Sequence, residues 1–120
     1  MLSKLSSQFL SASISLSNLT GVSMIDLTVI LTAKDPAHMA ELRSLLAQQV
    51  QLSRAEPGCI RFEAFESGSV SGTFILIERW ESQAALDEHR KATGFTTIYA
   101  PKVIPLVDRV PHVCTVLAGT

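Results

Sequence analysis

The dipeptide Pro57-Gly58 and the run that follows it constrain this chain more than any other feature. Proline and glycine end the helical pattern before them. The next residues, Cys59 to Glu66, have the character of a strand. Ser67 to Gly72 (SGSVSG) is a loop of turn formers, and Thr73 to Glu81 is a further strand. Ser82 then reads as the N-cap of a short helix reaching about Ala92. In the third strand Phe74, Ile75, Leu76 and Ile77 are apolar on both faces, so that strand must be covered twice.

Upstream, Ile25 to Thr32 is a strand whose Ile25, Leu27, Val29 and Leu31 share one face. Asp35-Pro36 is a helix start, with Asp as cap and Pro at the first helical position. The helix runs to about Ala55, with Met39, Leu42, Leu45, Leu46 and Val50 or Leu52 as its buried stripe. Downstream, Asp87 and Lys91 have the i,i+4 spacing of a helical ion pair, and Gly94 breaks that helix. Phe95 to Val107 is helical in part, interrupted by Pro101 and Pro105. His112 to Leu117 is a last strand. The order β-α-β-β-α-β is the ferredoxin-like plan: a four-stranded antiparallel α+β sheet with helices on one face. The other face is left to pack on a second copy.

At 120 residues the chain is one domain. Charged residues make up 18%, below the usual ~25%, which leaves little polar side chain to cover a monomer and favours a homodimer. The net charge is -1 and no basic stripe interleaves with aromatics, which argues against nucleic acid. No apolar run approaches a membrane span. Cys59 and Cys114 lack the spacing of a zinc or redox pair and read as buried, reduced thiols of a cytoplasmic protein. Residues 1–23 are rich in Ser and Leu, with one Lys and no acid. Too poor in Arg for a transit peptide and too interrupted by Ser for a signal peptide, they read as a flexible extension, with the domain spanning 24–120.

The stretches Glu56-Pro-Gly-Cys-Ile-Arg-Phe-Glu63, Glu78-Arg-Trp-Glu-Ser82 and Ala85-Leu-Asp-Glu-His89 resemble the antibiotic biosynthesis monooxygenase family, over about Met24 to Leu117. The resemblance implies a dimeric α+β barrel. It also implies a cofactor-independent monooxygenase that joins a small phenolic, quinol or polyketide-like substrate to dioxygen, with no metal. Superfamily members that isomerise or degrade oxygenated, even phosphorylated, metabolites keep a second reading open, and a non-catalytic small-molecule-binding dimer is a third.

His89 follows Ala85 and Leu86 by four and three residues, so it projects from the apolar side of its helix. An imidazole titrates near ~6.5 and suits proton transfer. On spacing alone a satisfied core histidine is the plainer reading, and the resemblance adds a pocket-lining, catalytic role. Trp80 shares a strand face with Glu78, Leu76 and Phe74, and is either a flat wall for a planar ligand or packing. Phe95 and Tyr99 are an i,i+4 aromatic pair that would either lid a cleft or pack in the core, the plainer reading for Phe95; the Tyr99 hydroxyl must find a partner, which makes it the better pocket candidate. Relatives often carry His-Phe where this chain has Gly94-Phe95. Catalytic His89, with Leu76, Glu78, Trp80, Phe95 and Tyr99 around substrate, is the expected site. Arg61 and Glu78 would pair across a simple hairpin, while a bulge would part them; Glu63 has the same ambiguity. Glu56 and Glu81 read as solvated strand ends. His38, His89 and His112 form no metal-binding pattern, and no phosphate loop or nucleophile motif is present.

Overall fold

A computed structural model describes residues 23–119; the expected N-terminal extension lies outside them apart from Ser23. Four strands form one antiparallel sheet in the order β2-β3-β1-β4, with β1 at Ile25–Ala33, β2 at Cys59–Glu66, β3 at Thr73–Trp80 and β4 at Val107–Cys114. This is the ferredoxin-like order, in which the first crossover skips a position that β3 fills. Helix α1 (Met39–Ser53) follows a 3₁₀ turn over Pro36–His38, and α2 (Gln83–His89) follows β3. Both starts are capped as the sequence requires. The Asp35 side chain accepts from the Ala37 N–H, and Ser82 Oγ accepts from the Ala85 N–H.

The core lies between the sheet and the helices. Leu27, Val29 and Leu31 of β1 and Phe74, Leu76 and Trp80 of β3 meet Leu42, Leu45 and Leu46 of α1 there. The helical stripe departs from expectation at its end. Leu52 is exposed, and Gln49 and Ser53 are buried instead. They face the start of a third helix, α3 (Gly94–Val103), which is π-wound: the Ile104 N–H donates to the Tyr99 carbonyl, five residues back. The expected break is present, but α2 ends at His89, short of Ala92, and Gly94 is the first residue of α3. A Cβ on it would lie 3.1 Å from Ser53 Oγ and 3.3 Å from Leu52 Cβ, so α3 packs closely on α1. Thr96 and Thr97 bond back to the Ala92 and Thr93 carbonyls. Pro101 adds a missing donor. All three disfavour a regular α-helical ladder.

Four further expectations are corrected. The last strand begins at Val107, five residues earlier than read, because β4 is an edge strand and tolerates Pro111. The β2–β3 register shifts between Cys59 and Arg61, so Arg61 pairs with Arg79 and Phe62 with Glu78. That bulge turns Arg61 to the open face, where it bonds Glu63 at 2.9 Å and not Glu78. Asp87 and Lys91 do not pair; Lys91 reaches Glu88 at 3.2 Å and Asp87 accepts from Gln83. Of the cysteines, Cys59 is half-buried but Cys114 is exposed.

The sheet face away from the helices carries Ile30, Ile75 and Ile77, half-buried, with exposed Phe65 and Val110 beside Ile75 and Ile30. No helix among the described residues is long and apolar enough to cross a membrane.

Candidate active site

Alternation along β3 sends Phe74, Leu76, Glu78 and Trp80 to the helix side of the sheet, where all four are buried. The bulge in β2 brings Phe62 onto that same side. Helix α2 drops His89, 4% exposed, onto this surface. Its ring lies 4.5 Å from the Trp80 ring at an interplanar angle of 33°, close to a stacked pair. Phe62 and Phe95 stand 5.6 Å from the imidazole on either ring contact, and Phe95 continues to Tyr99 at 5.3 Å. The expected site residues thus converge on one aromatic cluster, with Leu76 in the sheet beneath Glu78.

Three polar pairs stitch the cluster. The Trp80 N–H donates to Glu78 Oε1 at 2.9 Å. Arg109 Nε of β4 donates to the Tyr99 hydroxyl at 2.7 Å. His89 Nδ1 lies 2.7 Å from Glu56 Oε1. Burial pushes the Glu78 carboxyl above the usual carboxylate range, against the Trp80 bond and the charges of His89, Arg109 and Arg90. Burial likewise pushes the Tyr99 phenol up, opposed by Arg109.

Phe62, which the β2 bulge turns toward His89, was missed by sequence reasoning, as were Glu56 and Arg109. Glu56 was expected at a solvated strand end, yet its side chain is only 13% exposed. It sits in the turn between α1 and β2, fixed by its N–H to the Ser53 carbonyl and by the Cys59 N–H to its own carbonyl. Glu81, the other carboxylate expected in solvent, is exposed. Arg109 lay outside the expected last strand, so its pairing opposite Leu31 could not be read.

A cleft of about 500 Å³ opens beside α2, lined by Glu56, Pro57, Gly58, Ala85, His89 and Ala92 among others. Of the expected site residues only His89 reaches it. Trp80 and Tyr99 are sealed inside, at 0% and 2% exposure, so His89 joins the closed aromatic cluster to the open cleft. Among the described residues no three His, Cys, Asp or Glu side chains converge as a metal site would need.

The family model for antibiotic biosynthesis monooxygenases matches residues 28–100. The chain belongs to that family. It is 39% identical over 83 residues to a Mycobacterium tuberculosis protein named "Putative monooxygenase Rv0793", covering 69% of this chain and 79% of the relative. The solved structure of Rv0793 superposes with a TM-score of 0.72, covering 81% of this chain and 98% of that one. A Bacillus subtilis protein named "Putative monooxygenase YcnE" is 33% identical over 60 residues, half of this chain and 63% of that protein. SnoaB, a cofactor-independent oxygenase from Streptomyces nogalater, shares the fold at a TM-score of 0.69 and 16% identity, over 81% of this chain and 96% of that one.

Proposed function

We propose that this chain is a cofactor-independent monooxygenase for a small, electron-rich hydroxyarene of the phenol, quinol or anthrone type, working as a homodimer. The observation that carries the reading is His89: a buried imidazole stacked on Trp80, bonded to a carboxylate, and enclosed by Phe62 and Phe95. Membership in a family with relatives named as monooxygenases supports the reaction class.

The chemistry asks little of the protein beyond a base and a dry wall. His89 takes a proton from the substrate, leaving a delocalised anion rich enough to pass one electron to dioxygen. The radical pair collapses to a hydroperoxide, which loses water to give a carbonyl. In total an activated CH₂ and O₂ become C=O and H₂O, so no external reductant is consumed. Trp80 gives the ring a flat surface, held in place by the bond from its N–H to Glu78. The aromatic cluster keeps water from the intermediates. Phe95 and Tyr99, on the π-wound α3, would have to give way for substrate to reach Trp80.

The carboxylates near His89 weigh against a phosphorylated substrate. Glu56 bonds it directly, and Glu81 and Glu88 line the cleft against a single cation, Lys91, itself bonded to Glu88. A phosphate would want converging Arg or Lys instead.

The dimer would cover the open sheet face bearing Ile30, Ile75, Ile77, Phe65 and Val110, at an obligate-type cost of on the order of 2,000 Å² buried. The test is oxygen uptake by purified protein with a panel of quinols and anthrones, run beside sedimentation. Uptake above the spontaneous rate by a dimer supports the reading. No uptake with any of them, or a monomer at micromolar concentration, counts against it.

A further inference from the structure

Glu56 is a carboxylate taken almost out of water for the sake of one hydrogen bond. Its Oε1 meets His89 Nδ1 at 2.7 Å. Its Oε2 is buried without a hydrogen-bond partner among the described residues. A structural carboxylate at such burial normally has both oxygens satisfied, and one left half-satisfied calls for a functional account. The turn that carries it is firmly built. Besides the two backbone bonds around Glu56, the Glu81 N–H donates to the Gly58 carbonyl at 2.8 Å and ties this turn to the start of α2. The carboxylate and the imidazole are therefore held by opposite sides of one rigid junction.

We propose that Glu56 and His89 form a carboxylate–imidazole dyad, with Glu56 as the positioning residue and Nε2 of His89 as the atom that takes the substrate proton. This deepens the monooxygenase reading and rests on it for the identity of the proton donor. An acceptor-only carboxylate facing Nδ1 requires the proton of the neutral ring on Nδ1. That leaves Nε2 as the ring's lone-pair nitrogen, and the His89 side chain makes no hydrogen bond among the described residues other than that to Glu56. When Nε2 takes the substrate's proton, the ring becomes an imidazolium. Nδ1–H stays on the ring, and the adjoining carboxylate stabilises the new positive charge without moving a proton or an electron of its own. The stack on Trp80 fixes the plane of the ring, and Glu56 fixes its rotation within that plane. His89 also borders the open cleft with Glu56, so the proton it collects has a short way to solvent.

The tautomer can be read without turnover. Ring-nitrogen NMR of the full chain, at an alkaline pH where imidazole is neutral, separates a protonated from an unprotonated nitrogen. His89→Gln identifies the signals against those of His38 and His112. The wild type should show Nδ1 protonated and Nε2 bare. Glu56→Gln keeps an acceptor oxygen and should keep that tautomer, whereas Glu56→Ala should move the ring toward Nε2–H. A wild-type ring protonated on Nε2, or a pattern unchanged in Glu56→Ala, overturns the dyad. With an oxidisable quinol, Glu56→Ala should lose about tenfold or more in kcat at a KM near the wild-type value, and Glu56→Gln should lose less. Equal kcat in all three overturns the positioning role. If the wild type oxidises no quinol, the monooxygenase reading fails, and the NMR result alone decides whether Glu56 sets the tautomer.

Discussion

Replacing Gly58 with alanine tests whether the turn holding Glu56 is as tightly seated against α2 as its geometry indicates. Gly58 has a φ of +81°, and a Cβ placed there would lie 2.5 Å from the Cβ of Ala85. Two costs combine. An L-residue in left-handed backbone loses about 1–2 kcal/mol. Ordinary carbon contacts sit at about 3.5–4.0 Å, so the turn and α2 must part by roughly 1 Å; forced overpacking of this kind costs about 1–3 kcal/mol. Together Gly58→Ala should cost about 2–5 kcal/mol, a large share of the ~5–15 kcal/mol that holds a domain folded. Gly72 supplies the control. Its φ is +76°, but nothing lies within 4 Å of the Cβ position, so Gly72→Ala carries the backbone cost alone. Adding Ala85→Gly to Gly58→Ala should recover about 1–3 kcal/mol relative to the sum of the single changes, the signature of a direct clash. Urea unfolding with an unchanged m-value measures the wild type, the three single variants and the double variant. If Gly58→Ala is no worse than Gly72→Ala, or if Ala85→Gly restores nothing, the close approach is not what fixes this turn.

Two other outcomes follow from the buried titratable groups. The folded-state pKa of Glu78 is raised, so its stabilising contribution is fully present below the unfolded carboxylate value of about 4.3 and is lost as pH rises through the folded value. Glu78→Gln keeps an acceptor for Trp80, so its melting temperature should gain on the wild type as pH rises above that point; a gap constant from acid to neutral pH would contradict the assignment. The Cys59 thiol is pushed up to about 11, first by burial and then by the charges of Glu56 and Glu78. A thiol reagent at neutral pH should therefore modify exposed Cys114 quickly and Cys59 slowly, and equal rates would refute this.

Much of the fold was legible because local signals agreed. Asp35-Pro36, Pro57-Gly58 and Ser82 are caps and breaks whose chemistry acts within a few residues, and each falls where the sequence places it. What was not legible depended on partners distant in sequence. Pro111 reads as a strand breaker until β4 is known to be an edge. The bulge after Cys59 decides which face Arg61 takes, and the hairpin sequence alone permits either register. The π-winding of α3 emerges from Thr96, Thr97 and Pro101 acting together against the packing of Gly94 on α1. At the site, His89, Glu78, Trp80 and Tyr99 could be placed on their faces by periodicity. Their partners Glu56 and Arg109 could not, since one sits in a turn and the other in a misjudged strand.

The most direct test of the account is the oxygen-uptake rate of His89→Gln against the wild type, on a quinol or anthrone that the wild type oxidises. Glutamine retains hydrogen-bonding capacity toward Glu56 but is no base. The account predicts a kcat lower by about 10²-fold or more, within the range general-base catalysis usually supplies, with far-ultraviolet dichroism and sedimentation matching the wild type. A folded variant that turns over at the wild-type rate would make His89 a packing residue beneath α2 and would contradict the central claim.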